Sequence, residues 1–309
     1  MLANLLSRFV QGIFVLFTLF TITFFLIKAL PGGPFKSAEK AIPEHIRVKM
    51  EAYYGLDQPV TVQYARQLKN LLKGDPGQSL RLEGRDVTEI ISQAFPMSFR
   101  LGLVAMAIAL CVGIPLGVVA AWKKNTIMDY SAMGIAMIGI CIPSFVIGPV
   151  LADQFGRRMG VLPTTGWDPI SPSSWVLPAI TLGLATAAYL SRLTRAGMLE
   201  ILSQDYIRTA RAKGVGSTGI LIRHSLRGGI IPAVAFIGPA FAGIVSGSVV
   251  IESVFAMPGL GTHFIKAIES GDAPVILGIA MLYGTLIIVA NFLTDLLGLW
   301  LNPRLRAGR

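Results

Sequence analysis

The sequence has little of what chemistry on a soluble scaffold needs. Only two of its 309 residues are cysteine, Cys111 and Cys141, and each lies inside an apolar run. That excludes a disulfide framework and a zinc site, and each thiol is expected to act as a small buried hydrophobe. The three histidines, His45, His224 and His263, are scattered, so no His/Cys cluster offers a metal site. No G-x-x-x-x-G-K-[ST] loop occurs, and the apolar runs contain no Ser/His pair, paired Asp or HExxH. Charge is scarce too: 14% of residues are charged and 53% hydrophobic, with a mean hydropathy of +0.64. A soluble globular fold is excluded on that balance.

What is present is apolar length. A bilayer core of about 30 Å needs roughly 20 mostly apolar residues in helix. Six such runs occur, at about 9–30, 98–121, 131–152, 176–191 with its flank to 199, 230–251 and 275–301. Hydrocarbon offers the backbone no hydrogen-bond partners, so the runs must be helices, kinked where Pro115, Pro143 and Pro239 interrupt them. The expected fold class is an all-α polytopic membrane protein with six transmembrane helices. The first run is too long for a signal peptide, and PGGPF follows it without a small-x-small cleavage pattern; a retained helix is expected.

Charge orients these helices. With both termini cytoplasmic, residues 1–8, 122–130, 192–229 and 302–309 lie inside and hold thirteen Lys/Arg against three acids, nearly the whole formal charge of +10. That is the positive-inside pattern. The basicity reports topology and contact with anionic lipid, and nucleic acid is not an expected partner.

The long segment 31–96, expected outside, reads as an elaborated loop. Pro43 opens a helix-like IPEHIRVKMEAYYG and Pro59 opens PVTVQYARQLKNLLKG. DVTEIISQAF begins with Asp86 and Glu89 at capping-box spacing. Val62, Ala65, Leu68 and Leu72 form a stripe expected to pack on the outer mouth of the bundle.

Residues 192–229 contain TARAKGVGSTG, in which Gly214, Gly216 and Gly219 have the GxGxxG spacing of a dinucleotide turn. Such a site needs a hydrophobic strand before it and an acid about 20 residues later. Here a basic amphipathic stretch precedes it and IIPAVAF follows, so the glycines read as a turn between two surface helices. Asp205 or Ser203 would cap the first helix, running to Lys213, with Ile207, Ala210 and Gly214 on one small face offered to another protein. Gly214 and Gly216 would supply positive φ, and Ser217 or Thr218 would cap a second helix, TGILIRHSLRGG.

Taken together, YIRTARAKG, RHSLRGGIIP and VIESVFAMPGLG resemble the inner-membrane permease subunits of ATP-binding-cassette importers. The family's loop motif, Glu-Ala-Ala, three residues, Gly and a later Pro, is matched by Arg208, Thr209, Ala210, Gly214 and Pro232. The Arg-Thr departure is that of the peptide and nickel branch. The resemblance runs through ALPGGPF, GLDQPVTVQYARQL, FPMSFRLG, IPSFVIGP, LPAITLGLA and DLLGLWLNPRLR, and is strongest to the B-type permease of oligopeptide importers.

The resemblance implies a type I importer permease fold. Residues 1–93 would carry the first helix and the outer loop, 94–302 the permease domain with coupling loop 192–229, and 303–309 a cytoplasmic tail. It implies a non-catalytic subunit that pairs with a second homologous permease and works with two cytoplasmic ATPase subunits and an extracytoplasmic peptide-binding protein. ATP and magnesium would belong to the ATPases, and this chain would hold no cofactor. The coupling loop would use Tyr206, Ile207, Arg208, Thr209, Ala210, Arg211, Lys213 and Gly214, with Ala210 the close-contact position. Dipeptides, glutathione and nickel complexes are alternative cargoes. A proton-coupled secondary transporter is a reading from another class, and would show inverted repeats and coupled carboxylates, of which Asp295 is the only clear mid-span example.

Four further features stand out. Asn291 and Asp295 lie one helical turn apart in the last run, either lining a pathway or, as favoured here, pairing across the bundle. Gly243 and Gly247 form a small-xxx-small face for a partner permease. Glu252, Phe255, Pro258, Gly259 and Gly261, in ESVFAMPGLG, suit a short outer elbow near a gate. Asp153, Arg157 and Arg158 either leave the bilayer or face a cationic outer vestibule.

Overall fold

The computed structural model describes residues 2–29, 55, 57–82, 84–166, 168 and 171–301. Among these residues there is no β-strand; Gln78 and Asp86 form an isolated antiparallel bridge. The helices are α1 (Leu2–Ala29), α2 (Val60–Leu72), α3 (Val87–Trp122), α4 (Ile127–Cys141), α5 (Ser144–Leu151), α6 (Ser173–Leu202), α7 (Asp205–Ala212), α8 (Ile237–Val254), α9 (Leu260–Ser270) and α10 (Ala273–Leu301). Five contain a stretch long and apolar enough to span a membrane, at Ser7–Ala29, Val87–Trp122, Ser173–Leu202, Ile237–Val254 and Ala273–Gly298. A sixth span requires counting a bent pair as one.

That pair corrects the expected third span. Run 131–152 is not one straight helix: α4 and the helix running from Ser144 to Arg158 meet at 104°. Ile142, before Pro143, is extended at φ −89° and ψ 122°, because the proline ring disfavours helical geometry in the residue preceding it. Beyond α5 the chain widens into a π-helix over Ala152–Arg158. The fifth span is also shorter than expected. A helical piece, Ile231–Ala235, stops before α8 begins at Ile237. Pro239, whose ring crowds the carbonyl four residues back, places the break there.

The chain divides into two units, Phe99–Met257 with Ile287–Arg309, and Leu2–Ser98 with Pro258–Leu286. In the first, α3 and α6 approach until side chains no longer fit between them. A Cβ on Gly113 would lie 2.5 Å from the Ala187 carbonyl oxygen, and one on Gly183 2.7 Å from that of Ala105. Gly117 meets the Ser191 carbonyl in the same way. Apolar side chains gain nothing by leaving lipid for one another, so contact of this closeness supplies the attraction.

In the second unit Val87, Ile90 and Ala94 pack with Leu260, Ala267, Val275, Ile276 and Ile279. DVTEIISQAF is therefore not a separate outer helix but the first turns of α3, carried through Pro96 by this packing. Glu89 takes hydrogen bonds from Arg85 at 3.3 Å and Gln93 at 3.0 Å. Helix α9, which follows the elbow residues between two of the apolar runs, lies in the same core. Asp272 fastens the start of α10 to the loop before α3, accepting from the Leu80 amide at 3.1 Å and from the Ser79 hydroxyl.

Helix α2 forms behind Pro59 as expected, but its orientation is not the expected one. Val62, Ala65 and Leu72 are exposed, Leu72 at 81%. The packed side is led by Tyr64, whose ring sits 5.2 Å from Phe20 and 5.3 Å from Phe24 and whose hydroxyl meets Thr21 at 2.8 Å. A single aromatic that both stacks and hydrogen-bonds outcompetes a stripe of smaller apolar groups. The expected helix after Pro43 lies outside the described residues. Cys111 and Cys141 are exposed rather than buried: both stand on outward faces, where hydrocarbon solvates a thiol as well as a core does.

Candidate functional site

The segment after α6 is built from its caps inward. Helix α6 ends at Leu202 with Ser203 as C-cap, its hydroxyl donating to the Glu200 carbonyl at 2.7 Å. Helix α7 then starts behind Gln204, not behind Ser203 or Asp205, and has no side-chain cap. Asp205 in its first turn and Arg211 in its last both suit the helix dipole. Its end is a Schellman turn. Val215 N–H donates to the Ala210 carbonyl at 3.1 Å, Gly214 N–H to that of Arg211 at 3.0 Å, and Gly214 sits at φ +79°. Gly216, at φ −63°, needs no glycine conformation; Gly214 alone carries the turn.

The apolar face of α7 points into its own chain. Ile207 is fully buried and Ala210 is 8% exposed, so Ala210 is an anchor here rather than an open contact position. The outward face consists of Tyr206, Arg208, Thr209, Arg211, Lys213 and Gly214. Arg208 pairs with Asp205 at 3.3 Å, but both side chains are largely in solvent, so the pair adds little rigidity. The Tyr206 hydroxyl donates to the His224 carbonyl at 3.3 Å and holds α7 to the following segment. That segment is not one helix: Ser217–Gly219 leads into a π-helix over Ile220–Ser225 and then a turn at Leu226–Gly229. The Ser225 hydroxyl donates to the Ile220 carbonyl within the widened turn. Beside α7 opens a recess of about 580 Å3 lined by Trp122, Lys124, Leu199, Leu202, Arg211 and Val215.

Next to this recess lies a pair that sequence reasoning missed. The Asp129 carboxylate is 1% exposed and accepts from Arg195 Nε at 2.6 Å, from Arg195 Nη2 at 2.7 Å and from the Asn125 amide at 3.0 Å. It joins the start of α4 to α6, about two turns before the helix delivers the chain to α7. A signal existed: Ser191, Thr194 and Arg195 form a polar strip in an otherwise apolar run, and Asp129 is the lone acid of a short basic loop.

The other sequence candidates separate. Asp153, Arg157 and Arg158 do come together, with Nε–carboxylate distances of 2.6 and 2.8 Å, and both arginines remain exposed on the π-helix. One carboxylate shared by two guanidiniums leaves the cluster positive. A groove of about 600 Å3 runs beside it past Thr164 and Thr165. Asn291 and Thr294 are packed against Gly238, where an added Cβ would lie 2.7 Å from Asn291 Oδ1. Asp295 is half-buried on the same helix. Gly247 only grazes Leu182, and Gly243 has no atom within 4 Å of an added Cβ, which leaves that face open.

The elbow residues fall in different units. In the first, Glu252 is fully buried and Phe255 is 2% exposed at the end of α8, where Ala256 takes φ +52° and Met257 N–H donates to the Glu252 carbonyl at 2.8 Å. In the second, Pro258 and Gly259 lead into α9, with Gly259 as N-cap and Gly261 buried in the first turn. Among the described residues no group of three or more His, Cys, Asp or Glu is placed to hold a metal ion.

Comparison with known proteins follows the same chain from end to end. Residues 113–307 match a family described as the binding-protein-dependent transport system inner membrane component, and residues 1–85 match the N-terminal membrane component of such systems. The chain is similar to the oligopeptide transport system permease protein OppB of Haemophilus influenzae, 39% identical over 306 residues, covering 99% of this chain and 100% of that one. It is equally similar to the dipeptide transport system permease protein DppB of Bacillus subtilis, 39% identical over 302 residues, covering 98% and 97%. In fold it resembles a structure of the MetNI methionine ABC transporter in inward-facing conformations, with TM-score 0.59 and 17% identity over 70% of this chain and 97% of the other. It also resembles an amino acid ABC transporter solved with histidines, with TM-score 0.54 and 16% identity over 68% and 94%.

Proposed function

Since the chain belongs to the family of binding-protein-dependent transport system inner membrane components, a multi-pass permease subunit of an ATP-binding-cassette importer in the bacterial inner membrane, we propose that it carries oligopeptides and is driven through α7. It pairs with a second homologous permease, receives peptide from an extracytoplasmic binding protein, and is moved by two cytoplasmic ATPases that hold the ATP and magnesium. The chain itself catalyses nothing and binds no cofactor. Residues 94–302 carry the permease domain, and both termini face the cytoplasm, as the charge distribution favours.

The observation that carries this reading is the construction of α7. Ile207 and Ala210 fix the helix to its own chain, the Gly214 turn stops it, and Tyr206, Arg208, Thr209, Arg211 and Lys213 are left outward as a basic face. A short helix held rigidly on one side and charged on the other transmits a push without absorbing it. Acidic groups on each ATPase would meet this face.

The test is uptake into proteoliposomes holding the full assembly. Gly214→Pro cannot adopt φ +79° and loses the amide that closes the turn, so ATP-dependent uptake should vanish while the protein still inserts. Retained uptake would refute the coupling role. Dipeptides are the second cargo reading, favoured by the equal similarity to a dipeptide permease. Competition between a dipeptide and a pentapeptide for the loaded assembly decides between them.

A further inference from the structure

In the second unit, the end of α1, helix α2 and the start of α10 enclose a cavity of about 170 Å3 that the proposed transport does not use. Its wall carries Lys28, Arg66 and Asn70 on one side and Phe24, Ile27 and Leu277 on the other. Among the described residues no acidic residue lines it. Lys28 is the penultimate residue of the apolar stretch Ser7–Ala29, and Ala273, also at the wall, opens the stretch Ala273–Gly298. The cavity therefore sits where two spans meet the membrane surface, with its apolar side continuous with hydrocarbon depth.

Its polar groups are set rather than incidental. Lys28 donates to the Gln63 amide oxygen and lies 5.8 Å from the centre of the Phe24 ring. The Gln63 amide nitrogen donates in turn to the Gln58 carbonyl at 2.7 Å, and that of Gln67 to the Pro76 carbonyl at 3.1 Å. The Arg66 guanidinium lies so close to the Gly55 backbone that any side chain at 55 would strike it. Arg66 makes no ion pair with an acidic residue among the described residues. Two cations thus face one space with no neutralising carboxylate among the described residues, and the space has room for roughly six water volumes.

We propose that this cavity binds a phosphate group at the membrane surface, the headgroup phosphate of an anionic phospholipid, with Lys28 and Arg66 supplying the charge and Asn70 a neutral donor. Guanidinium matches phosphate oxygens in pairs and ammonium adds a point charge, while Phe24, Ile27 and Leu277 receive the first carbons of the acyl region. A lipid seated there braces α2 against α1. The proposal stands independently of the transport reading.

The full chain, purified in neutral detergent, is titrated with dihexanoyl phosphatidylglycerol, dihexanoyl phosphatidylcholine and inorganic phosphate, with thermal unfolding as the readout. Phosphatidylglycerol should stabilise the protein at the lowest concentration. Lys28→Gln and Arg66→Gln should each raise the concentration needed by about fivefold. Lys69→Gln, exposed on α2 but off the cavity wall, should leave it unchanged. If inorganic phosphate protects as well as the lipid and loses the same factor in both variants, the site stands with a free anion as its source. Absence of stabilisation, an equal loss in Lys69→Gln, or unchanged titrations in both cavity variants would each overturn the proposal. Each variant is compared only as a monodisperse protein, and Lys28, being exposed, gives the substitution least able to disturb folding.

Discussion

Arg195 and Asp129, 66 residues apart, meet through two parallel hydrogen bonds of 2.6 and 2.7 Å, with the carboxylate almost wholly out of solvent. The pair locks α4 to α6 just before α6 hands the chain to α7, so it fixes the base from which the basic helix projects. Removing one partner strands the other in a poorly solvated place. Asp129→Asn should cost about 3 kcal/mol, while Arg195→Lys, which keeps the charge but not the paired geometry, should cost less. Thermal unfolding in detergent measures both; equal, negligible shifts would show the pair to be structurally idle.

Gly113 and Gly117 stand one helical turn apart on α3, each against a carbonyl of α6. Alanine at either position forces two backbones apart, and overpacking of this kind costs about 1–3 kcal/mol. Gly243→Ala, with open space around it, should leave the stability of the isolated chain unchanged. Any loss it causes should appear only on co-purification with the second permease, which makes the pair of measurements a test of which glycine face is internal.

At Gly214 the left-handed conformation, not crowding, constrains the residue, since nothing lies within 4 Å of an added Cβ. Gly214→Ala should therefore cost about 1 kcal/mol, and Gly214→Asn less. Amide hydrogen exchange across residues 205–215 reads the difference directly, with faster exchange at Val215 as the expected sign.

His263 on α9 titrates below its ordinary 6.5, first because burial disfavours the charged ring and then because Lys266 and Arg85 repel it. The folded state thus prefers the neutral imidazole. Stability should be flat above the unfolded pKa, fall as the pH drops through it, and level off below the folded pKa, where both states are protonated. His263→Gln should flatten that part of a melting curve series run from about pH 7.5 to about pH 5.

The apolar runs located the spans because length and the lack of charge are dictated by the bilayer, and the family resemblance marked α7 and its glycine turn. Faces were harder to read. In lipid an apolar side chain is equally content inside and outside, so both cysteines read as buried although neither is; on α2, outside the spans, Val62 and Leu72 read as a packing stripe although Tyr64 does the packing. Prolines marked where α4 and α8 are interrupted but not by how much, since the 104° turn at Pro143 depends on what each arm packs against. The Asp129–Arg195 pair joins residues 66 positions apart, a distance no local pattern reports.

Cys141 is the last residue of α4, at the edge of that turn, and Cys111 lies along α3; both thiols are exposed, and the sequence contains no others. The unaltered chain is therefore equipped for pairwise spin or fluorophore labelling. One reporter rides on the unbroken α3 and the other at the angle between two helical arms, so a distance distribution recorded with and without nucleotide would register any straightening of that angle during the transport cycle.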